Sequence, residues 1–166
     1  YDIFTNTTTS LFSNTAIGYQ AISTTTSTCN FNTAIGYQSL KDLNEASWNL
    51  AIGGKNMTST FSGSANVGIG YQSFVLSNTG DRNIGIGVLS LQNNQGDDNI
   101  AIGNATARLM TSGSKNIIIG TRAAIGKIDS NYKLETGSSN ILIGSYSDIS
   151  DNADHSILSV SYTHLT

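Results

Sequence analysis

One five-residue phrase, Asn-x-x-Ile-Gly, returns eight times along this chain and constrains nearly everything it can fold into. The copies begin at Asn14, Asn32, Asn49, Asn66, Asn83, Asn99, Asn116 and Asn140, at intervals of 18, 17, 17, 17, 16, 17 and 24 residues. Identity at three positions on a near-constant spacing marks a repeat architecture, in which each unit covers its apolar surface with its neighbours. Ser156-Ile157-Leu158-Ser159 reads as a ninth, decayed copy. A period near 17 is too short for paired helices, which need more than about 30 residues per repeat. It suits two short strands and two turns, at about 3.3 Å of rise per strand residue. The expected fold is therefore all-β, a parallel β-solenoid or β-roll of about eight to nine coils. The absence of proline agrees, because an interior strand donates to its neighbour and proline has no N–H to give.

This pattern divides the 166 residues into a partial N-terminal coil over 1–13, a repeat domain over 14–159 and a tail over 160–166. The long interval places an insertion within 121–139. The tail, Val160 to Thr166, leaves the pattern and reads as an artefactual extension, with the natural protein continuing beyond it.

With the leading Asn as position one, alternation sorts the strand residues onto two faces. Positions two and four share a face, as in Leu50 with Ile52, Val67 with Ile69 and Ile84 with Ile86. The expectation is that they fill the coil, so that Ile17, Ile35, Ile52, Ile69, Ile86, Ile102, Ile119 and Ile143 form an interior ladder. A second strand starting at Tyr19-Gln20-Ala21-Ile22 and its counterparts would add Leu40, Met57, Phe74 and Leu91 to that interior. Position three then faces outward and reads Ala16, Ala34, Ala51, Gly68, Gly85 and Ala101. Small residues in a line let another backbone approach, so this column is expected to be a subunit interface; the competing reading is that the coil itself covers them. Ile118 and Leu142 break the small-residue rule. The leading Asn residues are expected to stack as a structural ladder of side-chain amides.

Composition narrows the function. Charged residues make up 11% of the chain and the net charge is -3, against the clustered Lys and Arg that phosphate backbones require. No apolar run reaches the roughly 18 residues of a membrane span. Cys29 stands alone, and His155 and His164 offer no zinc spacing with it, so no metal or other cofactor is expected. Asp151, Asp154, His155 and Ser156 are neighbours in one polar turn rather than residues converging from separate segments, and the chain is not expected to be an enzyme. Two groups are candidates for binding. Tyr19, Tyr37 and Tyr71 share position six with Gln20, Gln38 and Gln72 beside them, and form either a sugar-binding strip or a corner-stabilising stack. The insertion carries Arg122, Lys127, Tyr132 and Lys133, and insertions in repeat proteins map to loops on one face.

The string Asn-Thr-Ala-Ile-Gly-Tyr-Gln-Ala/Ser-Ile/Leu, at Asn14 to Ile22 and Asn32 to Leu40, resembles the repeats of phage and bacterial tail-fibre-like surface proteins. It is also similar to the Ala-Ile-Gly-x-x-Ala/Ser repeats of trimeric autotransporter adhesin heads. The resemblance spans 14 to about 147, although the coil here is longer than in the adhesin heads. It implies a parallel β-roll packed side by side as a homotrimer, outside the cell. The leading expectation is thus a structural and adhesive fibre segment, its partners being copies of itself and a cell-surface glycan or protein receptor. A monomeric ice-binding solenoid is one alternative, but its Thr array stops after Thr7-Thr8-Thr9 and Thr24-Thr25-Thr26. A polysaccharide-cleaving tailspike is another, and would need paired carboxylates on one face that the repeats lack.

Overall fold

The computed structural model is a parallel β-solenoid of about eight turns with a repeat near 17 residues. The structure describes residues 6–7, 12–25, 27–59, 61–77, 79–125, 134–149 and 153–159. Its strands are β1 (Asn6–Thr7), β2 (Thr15–Ile17), β3 (Thr24–Thr25), β4 (Thr33–Ile35), β5 (Asp42–Leu43), β6 (Leu50–Ile52), β7 (Val67–Ile69), β8 (Ile84–Ile86), β9 (Ile100–Ile102), β10 (Ile117–Ile119), β11 (Ile141–Ile143) and β12 (Ile157–Ser159). The nine three-residue strands make one parallel sheet in strict repeat register, Ile69 beside Ile52 and Ile86, and Gly68 beside Ala51 and Gly85. A smaller sheet, β1-β3-β5, covers the first coils, and a parallel bridge from Leu43 to Phe61 extends it.

The expected second strand from Tyr19 to Ile22 is a tight turn instead. Positions seven and nine are left-handed in coil after coil, as at Gln38 (φ 54°) and Leu40 (φ 48°), or Gln72 and Phe74 (both φ 55°). Such residues curl the chain where a strand would extend it, at a cost on the order of 1–2 kcal/mol each. Bonding between coils continues regardless. The N–H of Gln38 donates to the carbonyl of Tyr19 (2.9 Å) in the preceding coil, and the N–H of Leu40 to that of Asn56 (2.9 Å) in the next. At position five, glycine is required twice over. Gly18 sits at φ 129°, and a Cβ on it would stand 2.6 Å from the carbonyl oxygen of Gly36.

The sheet's two faces are the reverse of the sequence expectation. Position three points inward: Ala34, Ala51 and Ala101 have no exposed surface, Gly68 and Gly85 are buried, and Ala16 in the first full coil packs against the core. These residues are the lining of a single chain's coil and do not form a subunit interface. Positions two and four point outward, with Ile17 57% and Ile143 45% exposed and the isoleucines between them only partly covered. The reason is volume. A narrow coil has one lumen, and position nine fills it from the facing turn with Ile22, Leu40, Met57, Phe74 and Leu91, all fully buried. Burying each such side chain contributes on the order of 1.5–3 kcal/mol.

Position nine of one coil and position three of the next share that lumen. Where Met57 and Phe74 enter it, glycine faces them: a Cβ on Gly68 would stand 2.8 Å from Met57 Cε, and one on Gly85 2.6 Å from Phe74 Cε2. Where position nine shrinks to Ala107 and Ala124, position three grows to Ile118 and Leu142, both fully buried. The two exceptions to the small-residue rule are therefore the second half of a size exchange that keeps the interior filled.

Asparagine builds the main polar rung. Asn49 Oδ1 accepts the backbone N–H (2.9 Å) and the Nδ2 (3.2 Å) of Asn66. Asn49 Nδ2 donates to Asn32 Oδ1 (3.1 Å) and to the carbonyl of Gly63 (2.9 Å). The same linkage runs from Asn14 through Asn32, Asn49, Asn66, Asn83, Asn99, Asn116 and Asn140 to the N–H of Ser156.

A second rung was not anticipated from the sequence. Two residues before each Asn from Asn32 onward, a short polar side chain accepts the N–H of its counterpart one coil earlier. The series runs Asn30 to Ser47 Oγ (3.0 Å), Ser64 to Asp81 Oδ1 (2.7 Å), Asp81 to Asp97 Oδ1 (2.9 Å) and Asp97 to Ser114 Oγ (3.0 Å). This ladder runs opposite to the asparagine ladder.

Two predictions follow from these contacts. Asn83→Ala leaves the buried N–H of Asn99 without its acceptor and removes one of the two amides that donate to the carbonyl of Gly96, the other being Asn94 Nδ2 (2.8 Å), and should lower stability to urea by about 1–3 kcal/mol. Gly85→Ala should destabilise by about 1–3 kcal/mol, and adding Phe74→Leu should recover part of that loss; strict additivity in the double-mutant cycle would contradict the size exchange.

Candidate functional site: an aliphatic face with aromatic corners

The outward columns make the most distinctive surface of the molecule. Position four is Ile in all eight copies, and position two changes from Thr15 and Thr33 through Leu50 and Val67 to Ile84, Ile100, Ile117 and Ile141. No charged residue stands at positions two, four or six of any copy. Nine strands at about 4.8 Å spacing give these columns a length of about 38 Å. With the width of two outward residues and a corner, the strip has a footprint on the order of 400 Å², comparable to the largest apolar patch on a typical monomer.

Aromatic rows border its N-terminal half. After the corner glycine, Tyr19 and Tyr37 stack with centroids 5.9 Å apart and planes 7° from parallel, and Tyr71 continues the column two coils on. At the opposite corner Phe31 and Trp48 stack at 6.0 Å and 4°, both left-handed (φ 59° and 60°) and both exposed. The backbone conformation turns these side chains out of the coil, so the rows belong to the surface. Further along, the corner residues become Asn104, Thr121 and Ser145, and the border is polar.

Charge is confined to the flanks. Arg82 Nε donates to Asp98 Oδ1 (2.7 Å), and its Nη2 lies 3.5 Å from Asp97 Oδ2. The guanidinium holds the Asp98 carboxyl below its usual range, and Asp98 in turn raises Arg82. All are well exposed, which makes this an edge feature worth little to stability. Asp81 and Asp97 also belong to the second rung, so the charges sit on a fixed backbone.

Of the sequence-predicted binding residues, Tyr19, Tyr37 and Tyr71 come together in one column. Arg122 lies apart from them, its guanidinium carbon 5.9 Å from the centroid of the Tyr146 ring. Lys127, Tyr132 and Lys133 lie outside the described residues. Among the described residues, no three His, Cys, Asp or Glu side chains are grouped to hold a metal ion, and no helix is long and apolar enough to cross a membrane. Sequence reasoning missed the outward isoleucines as a site because it placed them in the core. The signal that could have corrected it was the exchange of sizes between positions three and nine.

No family model, curated protein or solved structure matches the chain.

Cys29 is fully buried, and desolvation raises its thiol pKa. In the native protein it should resist an aromatic disulfide reagent and react promptly in urea. A raised folded pKa means the native state keeps the proton that the unfolded state gives up. Stability should therefore be unaffected by this group below the unfolded thiol's pKa of about 8.5 and decline as pH rises above it. Cys29→Ser should remove that part of the alkaline decline.

Proposed function

We propose that the chain is a structural and adhesive segment of an extracellular fibre, a repetitive shaft or head that holds a binding surface away from a virion or cell. Three copies pack side by side, as the resemblance to adhesin heads implies, and they meet on the aliphatic face. The single observation that carries this reading is that face: eight aligned isoleucines, uncharged and outward, on a chain whose interior is already filled. Covering it removes apolar area from water at about 25 cal/mol per Å². The Arg82 cluster and other flank charges stay in solvent. The corner rows and the insertion supply the surface for a glycan or protein receptor. Catalysis and bound cofactors have no part in the reading.

The test is the solution mass by light scattering after size exclusion, on the wild type and on Ile86→Asp. Ile86 points outward, so the variant should keep the wild-type circular dichroism while shifting a trimer to monomer. A wild type that stays monomeric at tens of micromolar would falsify side-by-side assembly, as would a trimer indifferent to the charge.

A further inference from the structure

We propose that the break in the tyrosine column at Gly54 is a carbohydrate subsite, a slot that takes one all-equatorial, gluco-configured pyranose ring between Tyr37 and Tyr71. This deepens the glycan-binding part of the reading above. The slot lies within one chain, so it does not depend on how copies assemble.

Position six reads Tyr19, Tyr37, Gly54, Tyr71. Nothing in the backbone asks for glycine at 54. Its φ lies outside the left-handed range, and a Cβ there would meet only Tyr71 Cδ2 at 3.4 Å, Tyr71 Cε2 at 3.7 Å and the carbonyl of Tyr37 at 3.8 Å, all ordinary contacts. The adjacent Gly53 is the opposite case, at φ 125°. A tyrosine at 54 would complete the row, and its absence leaves one level open.

The opening has the dimensions of a sugar. Tyr19 and Tyr37 stack one coil apart, with planes 7° from parallel and centroids 5.9 Å apart, so rings at successive levels of this column can lie face to face. Tyr37 and Tyr71 are two coils apart, about 9.6 Å at a strand spacing of about 4.8 Å. A ring held at about 3.5–4.0 Å from an aromatic face on each side needs about 7–8 Å, so the two-coil interval admits one ring and not two. Both tyrosines are 48% exposed, so the slot opens to solvent.

The chemistry selects the ring. A pyranose with every hydroxyl equatorial presents axial C–H bonds, and thus apolar surface, on both faces; both can lie against tyrosine. Its hydroxyls radiate in the plane between the rings, at the level where the chain supplies polar groups: Lys55 next to Gly54, with Gln38 one coil before and Gln72 one coil after. The Gln38 carboxamide is held by donating from Nε2 to Gln20 Oε1 (2.7 Å). An axial hydroxyl, as in a galacto-configured ring, would press a polar group against an aromatic face and lose its hydration there.

The experiment is a calorimetric titration of the full chain with cellotetraose and with β-1,4-galactotetraose, on wild type, Gly54→Tyr and Tyr71→Ala. Saturable cellotetraose binding is expected, with the galactan at least about tenfold weaker, or about 1.4 kcal/mol. Each variant should also lose about tenfold or more. Should Gly54→Tyr fail to fold, as judged by its thermal midpoint, Tyr71→Ala alters an exposed side chain and carries the comparison. No cellotetraose binding by the wild type, equal binding of the two glycans, or unchanged affinity in the folded variants would each overturn the proposal. Light scattering on the same samples separates this result from the assembly reading, because the slot can fail in a trimer and succeed in a monomer.

Discussion

Everything else in this molecule hangs on the side chain of the leading asparagine. A carboxamide has two donors and two acceptor positions, and burying it unpaired is expensive. Asn49 uses all four, two toward the coil before and around the turn, two toward the coil after. No other side chain could do this at the same size: Asp lacks the donors, and Gln would set the amide one methylene deeper. The rung fixes the height and register of each coil, and once register is fixed the glycine corner, the small residues of position three and the outward isoleucines fall into columns. The left-handed residues of the turns are held in the same way, by backbone bonds between coils.

That order of dependence explains why the interior can vary so widely. Phe74, Met57, Leu91 and Ala107 all occupy position nine of equivalent coils. With the backbone set by polar rungs, the lumen need only be filled, and position three adjusts from glycine to leucine to fill it. The outward columns show the reverse behaviour, with isoleucine at position four in every copy. Inside, the volume of a pair is what matters. Outside, each residue meets its own environment.

The repeat, the parallel pairing, the coil length and the stacked asparagines were all legible in the sequence, because each rests on identity at fixed spacing. The orientation of the sheet was not. A period of two separates faces without saying which one is inside, and assigning the larger residues to the core placed Ile52 inward and Ala51 outward, the opposite of what the coil does. The competing reading, that the coil itself covers the small column, is the one realised. Gly68 opposite Met57 and Gly85 opposite Phe74 carried the needed information, but as a correlation between distant positions. The turn at Tyr19 to Ile22 escaped for a different reason: left-handed Gln and Leu have no compositional signature, since the coils above and below impose that conformation. The second polar rung was hidden because Asn, Ser and Asp alternate there, interchangeable as short acceptors.

The 24-residue interval shows what this construction tolerates. Asn116 and Asn140 stand seven residues further apart than most neighbouring asparagines. Yet Asn140 donates its N–H to Asn116 Oδ1 at 3.0 Å, and Ser114 donates to Ser138 Oγ at 3.1 Å, as in any other pair of coils. The seven extra residues between these two asparagines are thus invisible to the rungs themselves. Foreign peptide could be carried between the rungs of any coil, and whole coils added or removed, with a cost that grows only slowly with the length of chain to be closed. Such a chain is a natural display scaffold, in which length and decoration can be changed separately.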